Sequence, residues 1–494
     1  MNGLLNRKKF LKNTTIAFAA FAVPAPIRAL AASVTDDGFK MNDNAIIDLH
    51  CHPSMKMFLW GKKFWKRHLL VSKGDNLFNM QEDDRQFSFG NVRGILAAHY
   101  LLEGATKREW NTLNVLYPFL KHIPFLDLKD KIEYESEKNP EQVNKMISKL
   151  NEQLTEVNKS RGPGQVTYVI AKNFAEFEAA IKDPKKQQIA VAHAIEGGHA
   201  LGRNFPITLE PQQKLQPLSH EKQNQMIGDK TRLEDRAKPY IHNLDDFREL
   251  GVCLITLSHF FRNDLAYPVD GISPDAKSTP GMAWQYTPDQ DRGLTDIGVT
   301  VVKHMLHTGV IVDLTHSAPQ VRKDVFALNR KRRDEEGQPL RPLTFTHTGA
   351  QQVYEYYDQD RYPFYKHYCV SDEEIALIAE CDGVIGIIPE DFWLTGADSN
   401  LRKEFRAMRF ENGIGYMIQT MKYIKSKSPC KDFRHVGIGT DFDGLADNPK
   451  DLFKNKQLAD LITAMKNDPE FQPKDITAIT SGNAMRLLRL GWGN

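Results

Sequence analysis

Eight short apolar runs recur along the chain, at 45–51, 92–98, 188–195, 252–258, 309–315, 343–346, 384–389 and 436–440. Each is rich in β-branched or aliphatic residues and bounded by Gly, Pro or polar positions, which predicts buried strands. Between them the apolar spacing changes to three and four. Leu294 to Thr308 places Ile297, Val301, Val302, Met305 and Leu306 on one helical face, and Asp372 to Glu380 follows an N-cap residue, Ser371. Eight strands alternating with helices predict an α/β chain folded as a (β/α)8 TIM barrel.

Two connections exceed the length of a simple crossover. From about 100 to 187 the chain carries an aromatic-rich helical pattern (Trp110, Tyr117, Phe119, Phe125) and then a charged amphipathic stretch, Asn139 to Lys159. From about 203 to 243 it is polar and rich in Gln, Lys and Pro. Both predict insertions, mainly helical, after the second and third strands, on the rim where long loops form lids and substrate walls. One barrel domain over residues 32–494 accommodates them.

The first 31 residues predict a signal peptide. Asn6 to Lys12 is a basic segment, Thr14 to Val23 an apolar core, and Ala29-Leu30-Ala31 a small-residue cleavage site. The apolar core is too short for a stable membrane span and is followed by Pro24 and Pro26. The basic cluster before Phe10-Leu11-Lys12 resembles a twin-arginine export signal, with Lys8 where the second arginine would stand. The expectation is export to the periplasm or the exterior.

With 494 residues, 41% apolar and 26% charged, the chain has enough apolar material for a large core. Its net charge of +2, without any basic tract interleaved with aromatics, argues against nucleic acid as a partner and for a small-molecule substrate. Five cysteines, Cys51, Cys253, Cys369, Cys381 and Cys430, lack CxxC spacing and predict buried thiols rather than disulfides.

The candidate chemistry sits where the runs end. His50 and His52 close the first, Glu196 the third, His316 the fifth, His347 the sixth and Asp441 the eighth. Strands of a barrel deliver their C-terminal side chains to one mouth, so these six predict a shared metal site. In a strand, residues two apart share a face, which turns both imidazoles of His50 and His52 into the mouth and Cys51 away from it. Four imidazoles and two carboxylates suit a pair of divalent, borderline-soft ions such as zinc, with Glu196 bridging. Two dications against two carboxylates leave positive charge, which acidifies bound water towards neutral pH and provides a nucleophile. Asp441 is placed to take up and pass on the proton. Asp48, Asp313 and Asp443 are expected to support these groups, and His99, His193 and His199 to make polar contacts rather than to ligate. Asn483, after Ser481-Gly482, is expected to cap a helix.

The segments IEGGHAL around Glu196, LITLSH around His259, GLTDIGVTVVKHMLHTGVIVDLTHSA around His316, TFTHTGA around His347 and VGIGTDFDGL around Asp441 resemble the renal or membrane dipeptidase family of the amidohydrolase superfamily. Their order and context match from about residue 45 to the end. The resemblance implies a zinc dipeptidase on a (β/α)8 barrel. His50, His52 and Asp441 would hold one ion, His316 and His347 the other, and Glu196 both. His259 would hydrogen-bond the carbonyl oxygen of the dipeptide as it becomes an oxyanion. Arg361 is the candidate for gripping the substrate carboxylate. A homodimer is compatible with the family.

One ligand departs from the family's pattern, which reads His-x-Asp where this chain has His50-Cys51-His52. Exchanging a carboxylate for an imidazole removes one negative charge, favouring softer ions and more acidic water. It also keeps open a neighbouring activity, hydrolysis of another small amide, an N-acyl amino acid or a lactone. A metal-bearing protein without activity is the non-enzyme alternative, against which Asp441 and His259 speak.

Overall fold

The computed structural model describes residues 45–61, 63–64, 80–103, 138–182, 187–202, 233–260, 263–269, 293–351, 365–390, 393–394, 412–444 and 448–493. The expected signal peptide and Arg361 lie outside the described residues. Within them runs one parallel sheet: β1 (Ile46–Cys51), β2 (Val92–Tyr100), β3 (Thr167–Ile170), β4 (Gln188–Glu196), β5 (Val252–Thr256), β6 (Ile311–Asp313), β7 (Thr344–Thr348), β8 (Val384–Ile387) and β9 (Val436–Ile438).

The strands follow the order β2-β1-β9-β8-β7-β6-β5-β4, and β2 pairs with β4 from Gly94 against Ala190 to Tyr100 against Glu196. That last ladder closes the ring. Eight parallel strands with helices between them form the (β/α)8 TIM barrel that the apolar pattern predicts. β3 stands outside the count, inside the stretch read as mainly helical. It pairs with β4 along Gln188 to Val191, on the edge that β5 takes over from His193 to Glu196. Its four residues, mostly half-buried, are too few to show a period. Helices Asn139–Lys159 and Phe174–Lys182 flank it.

Two apolar layers sandwich the strands. Ile47, Leu49, Leu96, Ala192, Leu254 and Val384 come from five different strands and pack with one another, which places them inside the ring. Phe177, Leu487 and Leu488 join this inner layer from helices, and Trp492 from just beyond the last one. Ile46, Cys51, Val191, Ile255, Phe345 and Ile438 face outward against helical side chains such as Leu244, Val301 and Val325. The helices end where chemistry dictates: Thr295 caps Asp296–Thr308 by accepting from the Gly298 N–H, and Ser371 and Glu374 form a capping box on Asp372–Glu380.

Strict alternation fails in β1, and the failure matters. Ile47 and Leu49 point inward, so a regular pleat would send His50 out among the helices. A register shift between Asp48 and Cys51 adds one residue, letting His50 follow Leu49 inward while Cys51 turns out. A second shift, between Phe345 and Thr348 in β7, does the same for Thr346 and His347. Both bulges lie at the C-terminal end of their strands, where the mouth begins.

Cys51, Cys253, Cys369 and Cys381 are buried, as expected, whereas Cys430 is exposed, and no described helix is long and apolar enough to cross a membrane.

Candidate metal centre

Glu196, the last residue of β4, is the hub of the barrel mouth. Its Oε1 lies 3.4 Å from His50 Nε2, 3.3 Å from His316 Nε2, 3.6 Å from His347 Nε2 and 3.5 Å from His259 Nε2. Its Oε2 lies 3.4 Å from His52 Nε2. Asp441 Oδ1 completes one side, 2.9 Å from His52 and 3.9 Å from His50. The mouth thus brings together all six expected ligands and His259.

A carboxylate and one hydroxyl aim the rings. Asp313, at the end of β6, accepts from the hydroxyls of Thr256 (2.6 Å), Thr315 (2.7 Å) and Thr346 (2.7 Å). With its hydrogen given to Asp313, the Thr346 hydroxyl accepts from His50 Nδ1 at 3.0 Å and lies 3.1 Å from His347 Nδ1. Fixing Nδ1 this way turns each Nε2 lone pair towards the shared centre. Asp48 acts on the backbone instead: it accepts from the N–H of His50 and from the N–H and hydroxyl of Thr440, tying the β1 end to the loop that carries Asp441.

The local backbone is bent to fit. His316 (φ 62°), Asp441 (φ 52°) and Asp443 (φ 64°) occupy the left-handed region, which costs a non-glycine residue about 1 kcal/mol or more. Gly444 leaves the space they need, since a Cβ there would stand 2.0 Å from Asp441 Oδ1. Strain concentrated on two candidate ligands and their neighbour marks a site shaped for something other than stability.

The electrostatics point the same way. Burial opposes a charge on Glu196, yet the rings of His259 and His50 hold its carboxyl well below the usual range. Burial likewise opposes protonation of His50, but Glu196 and Asp441 outweigh it and raise that ring to about 9. Burial, aided by His50 and His316, pushes His347 well below its ordinary value, and burial chiefly brings His259 down to about 3. Nε2 atoms approach each other at 3.1 Å (His50 and His52) and 3.0 Å (His316 and His347), and Nδ1 of His52 and of His316 is buried without a hydrogen-bond partner. Closely packed imidazole nitrogens around a buried carboxylate fit divalent, borderline-soft cations. Three groupings meet the distance requirement at the mouth: His50, Glu196 and His347; His50, His52 and Asp441; and Glu196, His259 and His316.

The other histidines and aspartates fall elsewhere. His99 and His193 bond to each other at 3.0 Å, with Ser54 on His99 at 2.9 Å, and His199 bonds the Leu101 carbonyl at 2.8 Å. Asp443 pairs with Lys56 at 2.8 Å, fully buried. Asn483 donates to the Phe433 and Val436 carbonyls, fastening the helix it begins, Asn483–Gly491, to β9 rather than capping it. Sequence reasoning passed over Glu103, Tyr100, Phe260 and Trp393, which surround the histidines. Tyr100 and Phe260 pack against His259 with ring centroids 4.3 and 3.9 Å away and planes tilted, and Trp393 meets His316 at 5.5 Å. The available signal was the length of β2, which continues to Tyr100 and carries Glu103 to the mouth.

Comparison with known proteins decides the lineage. A family model described as membrane dipeptidase, peptidase family M19, matches residues 238–490, just over half of the chain. The chain belongs to that family. Among its relatives are the dipeptidase aclJ of Aspergillus oryzae, 26% identical over 49% of this chain and 46% of the relative, and an uncharacterized dipeptidase of Schizosaccharomyces pombe, 26% identical over 45% and 42%. The matched stretch therefore spans less than half the length of these relatives. Among solved structures, a Rhodobacter sphaeroides metallopeptidase liganded with a phosphinate mimic of L-Ala-D-Ala superposes with a TM-score of 0.59 at 17% identity, covering 91% of this chain and 99% of that one. Another solved structure, described as dipeptidase AC, a metallopeptidase of family M19, gives the same values. These likenesses bear out the fold, and family membership implies a divalent metal.

Proposed function

We propose that this chain is an exported, dinuclear metal-dependent dipeptidase that hydrolyses the amide bond of dipeptides. The observation that carries the reading is one buried carboxylate, Glu196, with five imidazoles between 3.3 and 3.6 Å of it at the barrel mouth. His50, His52 and Asp441 would hold one cation, His316 and His347 the other, and Glu196 both. When bound, a pair of zinc-like ions polarises the scissile carbonyl and acidifies water. Asp441, partly open to solvent at 16% side-chain exposure, accepts the proton of the attacking water and hands it to the departing amine. His259 would hydrogen-bond the carbonyl oxygen, and Trp393 and Phe260 pack against the histidines of the site. Arg361 is proposed as the grip on the substrate carboxylate. The basic and apolar segment before residue 31 supports export, and a homodimer is compatible with this reading.

His52, standing where a carboxylate is usual, favours one neighbouring reading: hydrolysis of a different small amide, an N-acyl amino acid or a lactone. A panel of dipeptides, N-acyl amino acids and lactones separates the two. Dipeptide turnover is expected to disappear in Asp441→Asn and on chelation, and to return when zinc is restored to the wild type. Full turnover by the chelated enzyme excludes the mechanism, and a preference for lactones moves the substrate class.

A further inference from the structure

Behind His259 lies a carboxylate for which the metal centre has no use as a ligand. Glu103 is 2% exposed and sits three residues beyond the end of β2. Its Oε2 accepts from the Tyr100 hydroxyl at 3.2 Å and from the Phe260 N–H at 3.1 Å, and stands 3.5 Å from His259 Nδ1. Its Oε1 is 3.9 Å from His199 Nδ1, a ring fixed by its bond to the Leu101 carbonyl. The two residues that donate to Glu103 also pack their rings, tilted, against His259. One carboxylate thus gathers two of the groups that hold that imidazole, with His316 on another side.

We propose that Glu103 is a positioning residue for His259: it stands on the Nδ1 side of the ring and anchors Tyr100 and Phe260, which pack against that ring, and so aims Nε2 at Glu196 and the substrate carbonyl. His259 Nδ1 is buried and makes no hydrogen bond of its own, so Glu103 Oε2, 3.5 Å away, is the charged oxygen that meets that side of the ring. Separations of this kind shorten when a site is filled. Carboxylates beside the far nitrogen of a metal-site imidazole hold its angle, and losing them costs roughly 10- to 100-fold in activity or metal affinity. The consequence for catalysis rests on the dipeptidase reading; the effect on the ring does not.

The test uses the full-length, zinc-loaded protein with histidine side chains labelled with nitrogen-15. The Nδ1 resonance of His259 should report the carboxylate beside it in the wild type, and it should shift in Glu103→Gln. The amide oxygen in that variant still accepts from Tyr100 and from the Phe260 N–H, so the loop keeps its anchors. Dipeptide kcat should fall roughly 10-fold or more with KM changed less, and Glu103→Ala should fall further. In a His259→Ala background the Glu103→Gln loss should vanish. An unshifted Nδ1 resonance, or losses that multiply in the double variant, overturns the proposal. A shifted resonance with full activity in His259→Ala overturns the oxyanion role of His259 and leaves the positioning contact standing.

Discussion

β1 feeds two clusters of metal-ligating residue types, one on each side of its bulge. At the mouth, His50 and His52 meet Glu196 and Asp441. On the helical side, Asp48, Cys51 and Glu82 also come within 4.8 Å of one another, close to Asp443 and Lys56. Both clusters are buried and both contain carboxylates, yet their bonding differs. Asp48 and Asp443 are saturated: Asp48 accepts from Thr440 and His50, and Asp443 from Lys56 and the N–H groups of Gln81 and Glu82. The mouth keeps ring nitrogens turned towards one another, and Nδ1 of His52, His259 and His316 makes no hydrogen bond, whereas the helical side leaves one such atom, Glu82 Oε2. Spare, convergent nitrogens mark a site for a cation, whereas the same residue types with most of their valences filled make a structural joint.

The largest test of that contrast is Glu196→Gln. Removing the shared carboxylate should leave fewer metal ions per chain by elemental analysis and lower dipeptide turnover about 1000-fold or more, because cation polarisation is worth several kcal/mol in the transition state. Thermal unfolding of the metal-free variant should stay close to that of metal-free wild type. A metal content equal to wild type would place the ions elsewhere.

How much of this was legible in the chain depends on which physical signal each part leaves. The strands were visible because both of their faces are buried and they read as continuous apolar runs. Glu196, His316, His347 and Asp441 were visible because they follow such runs. The bulges were not, since an extra residue in β1 or β7 changes no residue type. The assumption of simple alternation put His50 and His52 in the mouth, but it does so only because a bulge resets the phase after Leu49. β3 was missed for its shortness, and Glu103 because a carboxylate three residues past a strand looks like any loop acid until Phe260 and His259 are seen against it.

Lys56→Met probes the other cluster with a smaller and different effect. It leaves the fully buried Asp443 without its cation, and breaking a buried pair by removing one partner costs about 3–5 kcal/mol. Denaturant unfolding should show that loss, while the metal content of the folded fraction stays that of wild type. Lost metal with unchanged stability would mean that the two clusters act as one unit.

Glu82→Gln carries the smallest expected effect and the most specific signature. Burial, reinforced by Asp443 and Asp48, raises the Glu82 carboxyl well above its usual range, so the native state keeps a proton that the unfolded chain gives up near its ordinary value of about 4.3. Between those two values the native state binds more protons, and stability falls as pH rises. Glutamine retains an oxygen for the Asn455 contact and does not titrate. The variant should therefore lose less stability than wild type as pH rises from about 5, with the two curves closest at the acidic end. Measuring Tm against pH for the two metal-free proteins decides it. Parallel curves would show that Glu82 is already ionised in the fold, and the helical-side cluster would then carry enough uncompensated negative charge to compete with the mouth for a cation.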